Sequence, residues 1–185
     1  MTCPNRKDLG LLALRAAVGG VLVAHGSQKL FGWFGGGGLE GTAQAMEHMG
    51  FEPGRQSAIA SGLGETGGGA MLLVGLATPA AGAIVAGTMA GAIAVHAPGG
   101  FFATAGGYEY PAVLGTCGLA LGVAGAGRYS LDHLVGHRFD GAGLGLLAFV
   151  ASALGAAAVV TRRQDVVRRR EARAADEEAG VSGLS

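Results

Sequence analysis

Five long runs of apolar residues, separated by short polar or glycine-rich stretches, dominate the hydropathy pattern of the chain. A hydrocarbon core about 30 Å thick is crossed by roughly 20 helical residues, and each run has about that length. The second and third runs are separated only by the turn Ala77-Thr78-Pro79, which predicts an antiparallel hairpin. The pattern therefore predicts an all-α, polytopic transmembrane helix bundle. Its predicted spans are residues 9–30, 57–76, 79–97, 108–126 and 142–161.

The composition supports this fold class. Half of the 185 residues are hydrophobic, only 14% are charged and the mean hydropathy is +0.42, which excludes a disordered chain and favours a membrane protein. The 37 glycines predict close helix packing, because small residues spaced four apart let helix backbones approach in lipid. Such pairs are Gly64/Gly68, Gly87/Gly91, Gly118/Gly122 and Gly141/Gly145.

A net charge of zero hides a strong asymmetry. Six arginines and five acidic residues lie between positions 162 and 178, so residues 162–185 are predicted to form a charged tail after the fifth span. Because basic residues beside a span favour the cytoplasmic side, we predict a cytoplasmic C-terminus. Arg6 and Lys7 argue for a cytoplasmic N-terminus, which an odd number of spans cannot satisfy at the same time.

Polar side chains collect at one end of the predicted bundle. If the helices alternate in direction, all of these residues fall in the same half of the bilayer. Ionisable groups inside a membrane usually face the bundle interior and pair with one another. We therefore predict a polar pocket in one leaflet, although Lys29 could instead reach the interface and the others could simply link helices by hydrogen bonds. The residues are His25, Gln28, Lys29, Glu65, His96 and Glu109.

The remaining candidate sites are weaker. His133 and His137 are four residues apart, but their loop lies on the side opposite the pocket, and we predict no metal site. Arg15 lies nearer that opposite side and is expected to pair with a carboxylate or a lipid headgroup. The glycine-rich stretch after Phe34 lacks the lysine of a phosphate-binding loop, and no segment indicates a nucleic-acid partner.

Several motifs, in order, resemble the DoxX family of small bacterial membrane proteins. They are "DLGLLALRAAVGGVLVAHGSQKLFGWFGG", "GFEPG", "GETGGGAMLLVGLATP", "VHAPGGFF", "GGYEYP" and "GAGRYSLD", which together cover about residues 8–134. The resemblance implies a four-helix membrane domain over residues 1–141 in a bacterial inner membrane. The fifth span at 142–161 and the tail at 162–185 depart from that family pattern.

The resemblance also implies a function. Members of the family occur as membrane subunits of quinone-linked oxidoreductases and are associated with thiol redox and oxidative-stress complexes. A quinone is the cofactor that this implies, and a haem held by two histidines is a weaker alternative. The family's recurring polar residues match His25, Gln28, Lys29, Glu65, His96, Tyr108 and Glu109.

These observations lead to a primary hypothesis and two alternatives. The primary hypothesis is a subunit of a redox complex, in which Lys29 or His25 donates to a carbonyl oxygen and Glu65 accepts or relays a proton. The chain offers no electron-transfer centre of its own, so it is at most one subunit of an oxidoreductase with soluble redox partners. The alternatives are a non-enzymatic scaffold that recruits a soluble partner, and a carrier for a small solute or proton, either of which could act as a homo-oligomer.

Overall fold

The computed structural model describes residues 5–182, with side chains described to residue 179. Over these residues the fold is all-α and contains no strand, which confirms the predicted class. Each of the five predicted spans corresponds to a helix, and two further helices are present. The α-helices are α1 (Arg6–Phe31), α2 (Gly38–His48), α3 (Gly54–Val74), α4 (Thr78–His96), α5 (Glu109–Ala124), α6 (Leu131–Leu134) and α7 (Ala142–Ser182).

Local sequence explains where the main helices begin and end. The Asn5 side chain accepts a hydrogen bond from the Lys7 amide at 3.1 Å and caps the start of α1. Gly32 ends α1 and Gly75 ends α3, both in the left-handed conformation that glycine adopts without a steric penalty. Pro53 precedes α3, and Pro79 lies in the first turn of α4, where its missing N–H costs nothing.

Helices α1 and α3 pack antiparallel at unusually close range. A β-carbon placed on Gly19 would lie 2.6 Å from the Gly69 carbonyl oxygen and 2.9 Å from the Leu73 amide nitrogen. One placed on Gly26 would lie 2.7 Å from the Gly62 carbonyl oxygen. The α1–α3 interface therefore depends on glycines that leave no room for a side chain.

The other interfaces use several of the predicted glycine pairs. Gly118 and Gly122 of α5 pack against Gly82 of α4, and Gly68 of α3 packs against Val85 of α4. Gly64 contacts Thr88, Gly87 contacts Ser152 of α7 and Gly145 contacts Pro79, whereas Gly91 and Gly141 face open space. The apolar core between α1, α3, α4 and α5 is formed mainly by Val18, Leu22, Leu72, Val85, Met89, Leu114 and Leu121.

Helix α7 lies outside this four-helix core. It packs on α4 and barely touches α3, and the two helices run in the same direction, since Gly145 lies near Pro79 and Arg163 near Ala94. The predicted span at 142–161 and most of the predicted tail at 162–185 form one continuous helix through residue 182, and the boundary between span and tail stays a prediction. Residues 183–185 of the predicted tail lie outside the described part.

The helices differ in how well they suit a membrane. Three are long and apolar enough to cross it: Arg6–Phe31, Thr78–Gly99 and Ala142–Ala179. Helix α5 is apolar but has only 16 residues, and α3 has 21 residues that include Arg55 and Glu65 among many glycines. Membrane crossing by α3 and α5 therefore remains a prediction.

One short helix was missed by the sequence pattern. The stretch between α1 and α3 carries no apolar run of membrane length, but it contains α2, whose Ala43 and Met46 pack with Phe51 and Ala58 in a second small core. This helix covers the same end of the bundle that carries the polar residues.

We predict that Gly19→Ala lowers the melting temperature of the purified protein, whereas Gly20→Ala does not. The β-carbon at position 19 would overlap backbone atoms of α3, and overpacking of this kind costs about 1–3 kcal/mol. At Gly20 the added methyl meets nothing within 4 Å, so the helix propensity of alanine should leave stability equal or higher. Equal melting temperatures for the two variants in detergent would contradict the close α1–α3 packing.

Candidate functional site

A buried ion pair joins α1 to α3 near the end of α1. The Lys29 ammonium lies 2.5 Å from Glu65 Oε1 and donates a second hydrogen bond to the Ser61 hydroxyl at 3.0 Å. Ser61 and Glu65 are four residues apart and therefore lie on one face of α3. The close packing at Gly26 and Gly62 brings Lys29 against that face. The Glu65 side chain is 5% exposed and that of Lys29 is 27% exposed, so the pair is accessible only from the lysine.

The Glu65 carboxylate is only half satisfied. Its Oε2 atom is buried and, among the described residues, has no hydrogen-bond partner. A carboxylate can accept several hydrogen bonds, and a buried oxygen without one carries a desolvation cost of about 1–3 kcal/mol. Glu65 Oε2 can therefore still accept a proton or a hydrogen bond, and either would stabilise the buried carboxyl group.

A histidine–tyrosine pair lies beside the ion pair, between α1 and α5. The Tyr110 hydroxyl and His25 Nε2 are 3.3 Å apart, and their ring centroids are 5.7 Å apart. The Tyr110 hydroxyl is also within electrostatic range of the Glu65 carboxylate. Tyr110 was not among the predicted site residues, although it directly follows Glu109 in the motif "GGYEYP".

The other predicted pocket residues contact loop atoms. His96 Nδ1 lies 2.9 Å from the Gly106 carbonyl oxygen, and Glu109 Oε2 accepts a hydrogen bond from the Ala103 amide at 3.0 Å. These contacts shape the connection between α4 and α5. In the same region the Tyr108 and Phe101 ring centroids are 5.6 Å apart.

Gln28 is turned away from the ion pair. Its Nε2 donates to the Phe34 carbonyl oxygen at 3.4 Å, in the turn that follows α1. Of the seven predicted residues, the structure thus brings Lys29 and Glu65 into direct contact and His25 close to them. The other four stabilise the loops at the same end of the bundle.

A cavity of about 1070 Å³ reaches the ion pair from the side opposite the His25–Tyr110 pair. Its floor is α4, its walls are α3 and α7, and α2 covers its polar end. The walls consist mostly of alanine, glycine and other small side chains, while Lys29 and Ser61 supply polar atoms at the inner wall. We call this cavity the α3–α7 groove. It places the exposed side of the ion pair in contact with a long apolar space.

A second buried polar cluster lies at the opposite end of the bundle. The fully buried Arg15 donates from Nη2 to the Tyr129 carbonyl oxygen at 2.5 Å and lies within electrostatic range of Asp132. Asp132 accepts hydrogen bonds from the Ala77 amide at 2.7 Å and from both the amide and the hydroxyl of Thr78, at 3.0 and 2.9 Å. Asp132 therefore caps α4 from outside its own helix, and it is the carboxylate near Arg15 that the sequence left unidentified.

The histidines of that end do not form a recognisable metal centre. His133 Nδ1 lies 3.2 Å from His137 Nε2, and His137 Nδ1 lies 2.6 Å from Asp140 Oδ2. Within the described part of the chain, no group of three or more histidine, cysteine, aspartate or glutamate side chains is arranged to hold a metal ion.

The apolar helices and the charges buried among them define an integral membrane protein with an all-α bundle. Residues 10–98 match the DoxX family model, which supports membership of the DoxX family. Comparisons with curated proteins and with solved structures gave no significant match. The matched segment covers α1 to α4 and contains Lys29 and Glu65, but it ends before Tyr108 and Glu109. The wider resemblance at residues 8–134 and a domain boundary at 141 remain predictions.

We predict that Asp132→Ala destabilises the protein far more than Asp165→Ala. The first substitution leaves the buried amides of Ala77 and Thr78 without their acceptor, and a buried donor left unsatisfied costs about 1–3 kcal/mol. The second breaks an exposed pair with Arg168, and exposed pairs contribute roughly 0–1 kcal/mol. Thermal unfolding in detergent measures both. Similar melting temperatures for the two variants would show that Asp132 does not hold α4 in place.

Proposed function

We propose that the protein is the membrane subunit of a quinone-linked or thiol-dependent redox complex and that it binds a quinone head group beside Lys29. The observation that carries this proposal is the half-satisfied Glu65 carboxylate, buried in α3 and paired at only one oxygen with Lys29. A charge of this kind is costly inside a membrane and is usually retained for function. Membership of the DoxX family supports the same conclusion.

The neighbouring groups suit a quinone. An ammonium and a hydroxyl, from Lys29 and Ser61, lie at the wall of the α3–α7 groove, where they can donate to a ring carbonyl oxygen. The apolar remainder of the groove is suited to the hydrocarbon tail of such a molecule. Binding there would give the Lys29 ammonium a third hydrogen-bond partner without separating it from Glu65 or Ser61.

Proton transfer would then use the other side of the ion pair. Reduction of a quinone adds two protons to its ring oxygens, and the proposal assigns the two electrons to a soluble redox partner. Lys29 is placed to deliver a proton to the bound oxygen. Glu65 would then take up a proton and, as a carboxylic acid, pass it to the neutral amine of Lys29 across the 2.5 Å contact. The hydrogen-bonded pair of His25 and Tyr110 lies between α1 and α5 at the same end of the bundle and is the proposed route by which protons reach the membrane surface.

This proposal has consequences for location and partners. The family resemblance favours a bacterial inner membrane, and the arginines in the second half of α7 favour a cytoplasmic C-terminus. The C-terminal ends of α7 and α1 lie on the same side of the bundle. With a cytoplasmic C-terminus, the ion pair would therefore lie in the cytoplasmic leaflet. A soluble redox protein that donates electrons would therefore approach from the cytoplasm, beside α2 and the end of α7.

A specific observation favours the scaffold alternative. Helix α7 continues beyond the bundle as a single rod, and its residues 171–179 are all exposed. Such a rod could recruit a soluble protein with no chemistry in the membrane. In that case the Lys29–Glu65 pair would only link α1 to α3.

The test is the amount of quinone that the purified protein retains from membranes, measured by solvent extraction and absorption. We predict that Lys29→Met and Ser61→Ala each reduce retention, and that Lys29→Met does so by about 10- to 100-fold in affinity, because a hydrogen bond from a charged group contributes about 1.5–3 kcal/mol. Glu65→Gln should abolish thiol-dependent quinone reduction in membranes that contain the partner. Glu109→Gln, the same change in a residue that contacts only the loop, should leave both readouts unchanged.

Ser61→Ala separates a binding role from a folding role, because it removes one hydroxyl and leaves the ion pair intact. Wild-type retention in both Lys29→Met and Ser61→Ala would contradict the proposal. A lower melting temperature for Glu65→Gln, together with unchanged quinone reduction, would favour the scaffold. Loss of a co-purifying partner on deletion of residues 162–185 would support that alternative further.

A further inference from the structure

The α3–α7 groove is long and opens sideways. Helix α7 packs along α4 but hardly meets α3, which leaves the space between α3 and α7 unfilled. The groove follows α4 from Ala80 to Val95, a distance of about 22 Å at 1.5 Å per residue. Gly91 and Gly155 both face into it, and a β-carbon on either would meet nothing within 4 Å. In a bilayer, a space of this shape is open to the hydrocarbon chain of a lipid.

The polar end of the groove carries positive charge that no acidic group offsets. Two of its charged residues are neutralised, since Lys29 pairs with Glu65 and Glu52 pairs with Arg170 at 2.5 Å. The other two, Arg162 and Arg163, have no acidic partner among the described residues. The end of the groove therefore attracts an anion.

Arg163 is held in a fixed position at this end. Its Nε donates to the Met49 carbonyl oxygen at 2.8 Å and its Nη1 to the Ala94 carbonyl oxygen at 3.2 Å, and its guanidinium lies 5.6 Å from the centroid of the Phe51 ring. Arg162 makes no hydrogen bond to any described residue and is exposed. One arginine thus fixes the shape of the site, while the other is free to bind.

The start of α3 adds a second attraction for an anion. Gln56 and Ser57, in its first turn, line the same end of the groove. The amides at a helix N-terminus and the helix dipole favour negative charge, and α3 is 21 residues long. This dipole and the two arginines act at the same end.

From these observations we propose that the α3–α7 groove binds one anionic phospholipid. The phosphate lies at Arg162 and Arg163 beside the start of α3, and an acyl chain lies along the small side chains of α4 and α7. A neutral quinone carries no negative charge to pair with the two unneutralised arginines. The charge therefore favours a phospholipid as the resident molecule. The site depends on α7, which lies outside the segment that matches the DoxX family. The inference does not rest on the proposed redox function, and it implies that lipid and quinone compete for the groove.

The experiment uses the full-length protein in mild detergent, equilibrated with equal amounts of phosphatidylglycerol and phosphatidylcholine. Native mass spectrometry counts the lipids that stay bound to each chain. We expect wild-type protein to retain one phosphatidylglycerol in preference to phosphatidylcholine. Arg162→Ala should lower that preference by about tenfold, because it removes a charge-assisted hydrogen bond. Arg169→Ala, a matched change on α7 outside the groove, should leave it unchanged.

A second pair of variants tests the place of the acyl chain. A β-carbon at Gly155 meets nothing within 4 Å, so Gly155→Leu places its side chain in the groove and should reduce retention of both lipids severalfold. Gly143→Leu, in the same helix, also meets open space but lies outside the groove and should have no effect. Neither leucine touches the Lys29–Glu65 pair.

Four outcomes of the lipid experiments would overturn the inference. They are equal retention of the two lipids by wild-type protein, equal behaviour of Arg162→Ala and Arg169→Ala, full retention in Gly155→Leu, and no retained lipid at all. Retention of a quinone in place of phospholipid would also overturn it, while supporting the proposed function. Loss of quinone binding in Lys29→Met with normal phosphatidylglycerol retention would support both proposals. The two proposals are therefore tested separately.

Discussion

A charged side chain can remain in the hydrocarbon of a bilayer only where another helix supplies its partner, and this constraint organises the whole bundle. Lys29 meets Glu65 where α1 crosses α3 at one end, and Asp132, near Arg15, caps α4 at the other. Each contact requires backbones to approach closely, which explains why glycine rather than leucine lines the α1–α3 interface. Ion pairing and close packing therefore depend on each other in this protein. The charged groups need partners from another helix, and those partners come within reach only where the helix backbones are close.

The same constraint makes the ion pair an unusual place for chemistry. It lies between two different environments, with the apolar α3–α7 groove on the side of Lys29 and the His25–Tyr110 pair close to Glu65. A molecule that enters from the membrane would meet the ammonium first, while the carboxylate keeps one oxygen free for a proton. This arrangement separates binding from proton exchange, which is what a quinone site in a multi-subunit complex needs, and which a purely structural ion pair has no reason to provide.

Much of the fold and part of the candidate site could be predicted from the sequence, for physical reasons. Apolar runs of membrane length predict helices well, and helix alternation correctly grouped Lys29 and Glu65 at one end. Alternation alone could not show which polar groups meet, since that depends on helix rotation; Ser61 and Tyr110 were missed, and Gln28 contacts a loop instead. Helix α2 was not predicted because glycines precede it and interrupt its sequence. The continuity of α7 was not predicted because the sequence changes from apolar to charged at Arg162. Asp132 was missed because it caps a helix more than fifty residues away in the chain.

The central claim is that the Lys29–Glu65 pair receives a quinone head group, and photolabelling tests it most directly. Native membranes would be treated with a photoreactive quinone, and the labelled residues identified by peptide mass spectrometry. The account predicts labels on α1 near Lys29 and on α3 between Ser61 and Glu65, with competition by unlabelled quinone and loss of labelling in Lys29→Met. Labels confined to other helices, or labelling of these residues that excess quinone does not displace, would contradict it.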